Sequence, residues 1–175
     1  MTQLNIEIKA KSNNQDWIKK VLKSHHAEFN GVDHQIDTYF KVNAGRLKLR
    51  EGNIENSLVH YNREDKEEPK QSNVTFYKSA DKTSLKEILT TALGVLVVID
   101  KSREIYFINN VKFHVDIVKD LGTFVEIEAI DPDGTIGKEK LFEQCNYYLD
   151  LFRIRKEDLI SNSYSDLLLK KLNEI

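Results

Sequence analysis

The stretch Asn5-Ile6-Glu7-Ile8-Lys9-Ala10-Lys11 decides how this 175-residue chain is read. Polar and apolar residues alternate along it, and on a β-strand side chains two apart share a face. The segment therefore predicts a strand with one apolar and one ionic face. Arg46, Lys48 and Arg50 alternate with Leu47 and Leu49 in the same way, and Glu126 and Glu128 alternate with Val125, Ile127 and Ala129. The charges differ in sign from one segment to the next. Basic rows on some strands and an acidic pair on another are what a site for a highly charged anion and its metal needs.

Working outward, strand patterns fall at 3–11, 36–41, 45–51, 57–65, 73–79, 96–107, 111–118 and 123–130, mostly joined by short turns. Short connections favour antiparallel neighbours. Helical periodicity falls at 15–25, 82–93, 138–150 and 163–172, so helices can cover the apolar strand faces. The ionic faces then look either to bulk water, as in an open sheet with one wet face, or toward one another in a closed eight-stranded barrel. Charges inside a barrel are too costly to bury unpaired, so its lumen would be hydrated and would hold counterions or a substrate. Residues of matching parity are Lys9, Lys11, Arg46, Lys48, Arg50, Arg63, Lys101 and Arg103 against Glu7, Asp65, Asp116, Glu126 and Glu128. That positive excess, on a chain of net charge -2, favours an anion site.

The balance of 26 Lys+Arg against 28 Asp+Glu offers no general attraction to nucleic acid or an anionic membrane, so any basic function is local. No apolar run approaches the ~18 residues of a membrane span, and the N-terminus lacks a signal peptide's apolar stretch, which predicts a cytoplasmic protein. No linker or repeat divides residues 1–175, which predicts one domain. The single cysteine, Cys145, rules out an internal disulfide and reads as core beside Phe142, Tyr148 and Leu149. The charged run from Arg63 to Lys70 reads as an exposed hairpin loop. His25-His26 lacks partner ligands and reads as surface. Asp131-Pro132-Asp133-Gly134 lacks the closing Glu of a calcium loop and reads as a turn. No G-x-x-x-x-G-K-[S/T] segment exists, which excludes P-loop phosphate binding.

The opening segment resembles the Glu-x-Glu-x-Lys signature of the CYTH family, also called triphosphate tunnel metalloenzymes. The resemblance continues through Asp37-Thr38-Tyr39-Phe40, Gly45-Arg46-Leu47-Lys48-Leu49-Arg50-Glu51, Tyr61-x-Arg63-x-Asp65 and Asp100-Lys101-x-Arg103-x-x-Tyr106. It extends to Val111-Lys112-Phe113-His114-Val115-Asp116 and Leu121-Gly122-x-Phe124-Val125-Glu126-Ile127-Glu128, in order and spacing. Tyr164-Ser165-Asp166-Leu167-Leu168 resembles the C-terminal helix of the class IV adenylyl cyclase branch.

What the resemblance implies is an α+β fold: a closed eight-stranded antiparallel β-barrel with helices packed outside. Its tunnel would bind a triphosphate through Lys9, Lys48, Arg50, Arg63, Lys101 and Arg103, with Lys11 and Arg46 toward the mouth. Glu7, Glu126 and Glu128 would hold Mg2+ or Mn2+. Asp116, Lys101 and Arg103 form the candidate catalytic set, and His114 shares the strand face of Asp116. The implied activity is that of a cyclase, ATP to cyclic AMP and pyrophosphate. The alternatives are a tripolyphosphatase, thiamine triphosphatase or nucleoside triphosphatase, or a module that binds a nucleotide or polyphosphate without turnover. The implied partners are the triphosphate itself and a second copy in a homodimer, with no nucleic acid or membrane. One position departs from the signature: its first Glu is Asn5, whose amide oxygen can ligate a hard cation but brings no charge.

Overall fold

The computed structural model describes residues 2–63, 66–78 and 83–174, with the backbone alone at 2, 63 and 83. The strands are β1 (Thr2–Lys11), β2 (Glu28–Phe40), β3 (Arg46–Glu51), β4 (Asn56–Arg63), β5 (Lys70–Tyr77), β6 (Val95–Ile108), β7 (Val111–Val118), β8 (Gly122–Asp131) and β9 (Leu159–Ile160). The helices are α1 (Gln15–Ser24), α2 (Thr83–Leu93), α3 (Lys138–Leu151) and α4 (Tyr164–Asn173). Strand order runs β5-β4-β3-β2-β6-β7-β8-β1, and β1 pairs back onto β5 through Thr2 to Glu7. Every pairing is antiparallel. The ring of eight strands is therefore closed, and the open-sheet alternative is set aside. The short β9 adds to the edge of β1 at Lys9 and Ala10, beyond the stretch that β5 occupies.

Alternation explains which face became the lumen. Ile6, Ile8, Ala10, Phe113, Val115, Val125, Ile127 and Ala129 form a buried layer on the outside of β1, β7 and β8. Ile18, Val21 and Leu22 of α1 and Leu141 and Cys145 of α3 complete that layer. Each such large side chain contributes about 1.5–3 kcal/mol on burial. A one-residue slip would turn the whole ionic row into this layer, so the register is tightly specified. Cys145 lies in the core, its thiol donating to the Ile6 carbonyl at 3.3 Å, and burial pushes its pKa up to about 12.

A second buried cluster, with Tyr39, Val59, Tyr61, Val97, Ile99, Phe124 and Tyr164, packs against Leu167 and Leu168 of α4. The start of α4 is fixed by a reciprocal cap between Ser163 and Asp166.

The structure departs from the sequence expectation in three places. β2 begins at Glu28 rather than residue 36, because its first half is largely exposed and carries a register shift between Phe29 and Gly31. The charged run does not end as a loop: Lys70 opens β5 and is buried, donating to the carbonyls of Lys66 (3.2 Å) and Ser161 (2.6 Å). β9, at two residues, was too short to carry a pattern. Asp65, the end of the expected 73–79 strand and the start of the expected 82–93 helix fall outside the described residues. Asp131 closes its turn by accepting from the N–H of Gly134 (2.8 Å) and Gly137 (2.9 Å). No described helix is long and apolar enough to cross a membrane.

Candidate active site in the barrel lumen

The barrel encloses a cavity of about 450 Å³. Its innermost cations are Lys101, Arg103 and Lys9, which are 2%, 3% and 5% exposed. Two buried carboxylates behind the wall hold the basic side chains in place. Asp37 takes a bidentate pair of hydrogen bonds from Arg50 (2.9 and 2.8 Å), a third from Lys101 (2.7 Å), and an ion pair with Lys48 at 3.2 Å. Asp116 takes a bidentate pair from Arg103 (2.7 and 2.6 Å) and a hydrogen bond from the Tyr164 hydroxyl (2.7 Å).

Such planar forks fix a guanidinium in one orientation. The cations are thus presented to the lumen without needing to reorganise. Burial works against ionisation of Asp37, but Arg50, Lys101 and Lys48 override it and hold its carboxyl well below the usual range. Lys101 responds the other way. Burial, joined by Arg50, Arg103 and Lys48 and opposed by Asp37, brings its pKa down to about 7. Tyr164 lines the cavity, with the Lys9 ammonium 3.9 Å from its ring centroid.

The acidic wall is formed by β1 and β8. Glu7, Glu126 and Glu128 all face the cavity, as does Asn5, which donates to Glu128 at 2.5 Å. Glu126 is engaged by Lys9 (3.1 Å), Arg103 (3.2 Å) and His114 Nδ1 (2.9 Å). Burial raises the Glu128 pKa to about 7; Glu7, Glu126 and Glu55 reinforce that rise and Lys112 opposes it. Burial, with the nearby Arg103, brings His114 down to about 4, so its ring is neutral at pH 7. Because the ionised Glu126 can only accept, Nδ1 of His114 carries the proton and Nε2 is left as a bare acceptor, buried and without a hydrogen-bond partner.

Could these residues hold a divalent ion? Among the described residues no three acidic, histidine or cysteine side chains converge into a closed metal cluster. A hard ion such as Mg2+ does not need one, since it binds through one or two carboxylates and completes its shell with water and phosphate oxygens. The Asn5 Oδ1, buried and unpartnered, and the crowded carboxyl of Glu128 are what such an ion would satisfy. The donor set fits.

The structure brings Lys9, Lys48, Arg50, Lys101, Arg103, Glu7, Glu126 and Glu128 to one cavity. Lys11 is exposed at the end of β1, and Arg46 pairs with Asp166 of α4 at 2.6 Å; neither lines the cavity. Asp116 lies behind the wall, oriented toward Arg103 rather than toward the lumen. The side chain of Arg63 is outside the described residues. Sequence reasoning missed Asp37 as the anchor of three cations, Lys112 as a lumen cation, and Glu55, which reaches in from the β3–β4 turn. With Asp37 and Glu55 counted, the described wall is close to charge-balanced rather than basic.

A family model, the CYTH domain, matches residues 3–164. The PH1012 protein of Pyrococcus horikoshii is 25% identical, with a TM-score of 0.78 over 93% of this chain and 98% of that one. A Vibrio parahaemolyticus protein described as a candidate adenylate cyclase is 19% identical, with a TM-score of 0.74 over 95% of this chain and 98% of its own. A Hippeastrum adenylyl cyclase candidate, described as having a dominant triphosphatase activity, is 12% identical, with a TM-score of 0.58 over 98% and 96% of the two chains. The last two likenesses show a shared fold. No curated protein matches the chain.

Proposed function

The chain belongs to the CYTH family, and from that premise we propose that it is a divalent-metal-dependent enzyme on a triphosphate held in the lumen, converting ATP to cyclic AMP and pyrophosphate. The observation that carries this reading is the set of buried cations preoriented by Asp37 and Asp116 and opposed by an acidic wall in one enclosed cavity. The guanidinium N–H groups of Arg50 and Arg103 that their carboxylate partners leave uncovered can donate to phosphate oxygens, while Lys9, Lys48 and Lys101 supply point charges. Charge that develops on the leaving pyrophosphate is met by groups that need not move. A divalent ion on Glu7, Glu126, Glu128 and the Asn5 carbonyl would add charge neutralisation at the reacting phosphorus. In cyclisation the ribose 3'-oxygen bonds to the α-phosphorus as the bond from that phosphorus to the bridging α–β oxygen breaks; pyrophosphate leaves with the electron pair, and the hydroxyl proton passes to it or to solvent. The bare Nε2 of His114 can accept a hydrogen bond from that hydroxyl, and its low basicity suits it to orienting the group rather than keeping its proton.

The test is incubation with ATP, tripolyphosphate and thiamine triphosphate, each with Mg2+ and Mn2+, and identification of products. Cyclic AMP with pyrophosphate is expected from ATP. Release of inorganic phosphate instead would reassign the chain to hydrolysis, the activity described for the Hippeastrum protein.

Asn5 favours a second reading, a module that binds without turnover, since the position lacks the acid's charge. Asn5→Glu is expected to tighten Mn2+ binding, read by calorimetry, by roughly tenfold, the order of one added carboxylate on a hard ion. If turnover appears only in that variant, the wild-type chain is a binding module.

A further inference from the structure

The turn between β3 and β4 is built to place one carboxylate inside the lumen. The backbone N–H groups of Ile54 and Glu55 donate to the two oxygens of Asp33, both at 2.9 Å, and Gln35 donates to the same carboxylate at 2.7 Å. Asp33 is fully buried. A Cβ at Gly52 would lie 2.6 Å from Asp33 Oδ1, so the turn closes this tightly only with glycine there. Held in this way, Glu55 accepts from Arg50 Nη1 (3.0 Å), from Gln35 Nε2 (3.2 Å) and from Lys112 Nζ. A side-chain carboxylate thus covers one N–H of Arg50 and the ammonium of Lys112, groups that would otherwise be offered to phosphate oxygens.

Depth is read from exposure. Lys101, Arg103 and Lys9 are 5% exposed or less, whereas the Glu55 side chain is 23% exposed and Ile54 beside it 40%. Glu55 therefore lies outside the inner cations, at the outer edge of the pairs it makes with Arg50 and Lys112. Further out the wall is mainly apolar, at Ile54, Val74, Phe76 and Ile130, with amide groups at Gln3 and Asn56 and one exposed cation, Lys78. Phosphates extending outward from the inner cations would first meet a like charge and then a mainly apolar wall whose one described cation, Lys78, is exposed to water and so screened from them. A flat or apolar organic group would find contact area and hydrogen-bonding amides.

We propose that Glu55 and this rim determine specificity: the lumen takes a triphosphate capped by an organic, apolar or aromatic group, and Glu55 rejects longer inorganic polyphosphate. The inference rests on the reading of the lumen as a triphosphate site. It is tested by calorimetric binding of ATP, tripolyphosphate and tetrapolyphosphate to the wild-type chain, Glu55→Gln and Phe76→Ala, each checked for an unchanged melting temperature. Glu55→Gln keeps the acceptor and removes the charge.

The wild-type chain is expected to bind ATP at least ~10-fold more tightly than tetrapolyphosphate. Glu55→Gln should tighten tetrapolyphosphate by ~10-fold or more and ATP by less than about threefold. Phe76→Ala should weaken ATP and leave tripolyphosphate unchanged. Equal changes for all three ligands in Glu55→Gln, or wild-type binding of tripolyphosphate and tetrapolyphosphate as tight as of ATP, overturn the role of Glu55 while the triphosphate site stands. Absence of binding by all three to the wild-type chain overturns both.

Discussion

Asp37→Ala is expected to cost about 3–5 kcal/mol of stability, the range for removing one partner from a buried ionic cluster. For a chain of this length that is a fall in melting temperature on the order of 10 °C. The cause lies less in lost attraction than in what remains, because Asp37 is 1% exposed and is the shared partner of Lys48, Arg50 and Lys101. Without it the three cations face one another across a low-dielectric wall. Lys101 can shed its proton, its pKa being already near 7, which keeps the cost toward the lower end of the range. Arg50 cannot. A triphosphate anion in the lumen would supply the missing charge, so tripolyphosphate should raise the melting temperature of the variant more than that of the wild-type chain. A variant within about 2 °C of wild type would show that Asp37 does not organise the basic wall.

The parts of the site legible in the sequence are those where strand alternation coincides with alternating charge. Lys48 and Arg50 on β3 flank Leu49, Glu126 and Glu128 on β8 flank Ile127, and Lys101 and Arg103 on β6 flank Ser102; period two is enough to place each pair on one face. Asp37 escaped because its inward neighbours on β2, Gln35 and Tyr39, are uncharged, so no ionic row announced it. Glu55 escaped for another reason. It projects from a turn, where parity has no meaning, and its direction is set by backbone hydrogen bonds to Asp33, remote in sequence.

The positive excess inferred from the sequence came in part from these two gaps, since both missed groups are carboxylates that neutralise cations, and in part from counting Lys11 and Arg46, which do not line the cavity. Lys11 and Arg46 mark the opposite limit. They share the parity of the site, but parity does not say where along its strand a residue leaves the barrel, and both stand at strand ends. Closure itself was one of two architectures the pattern allowed, and the pairing of β1 with β5 decides between them.

Lys101→Met is expected to weaken triphosphate binding by about 1.5–3 kcal/mol, the scale of a hydrogen bond to a charged group, or roughly 10- to 150-fold. Its pH dependence is more diagnostic than its size. In the free chain Lys101 titrates near pH 7, because burial and the neighbouring Arg50, Arg103 and Lys48 disfavour its charge more than Asp37 supports it. A bound triphosphate favours the ammonium, so above that pH binding must draw a proton from solution.

Wild-type affinity should then fall as pH rises from 7 to 9, approaching tenfold per unit, and the slope should be shallower in Lys101→Met, where the ligand's own titration remains. Calorimetry in two buffers of different ionisation enthalpy reads the proton uptake directly. Stability runs in the opposite sense. The folded pKa lies below the ordinary lysine value of 10.5, so between about 7 and 10.5 the unfolded chain binds the proton that the native chain has released. The contribution of Lys101 to stability therefore rises with pH across that window, and Lys101→Met removes that rise. Equal pH slopes for binding in the two proteins, with no proton uptake by the wild-type chain, would place a fully charged lysine in the free lumen and refute this account of its electrostatics.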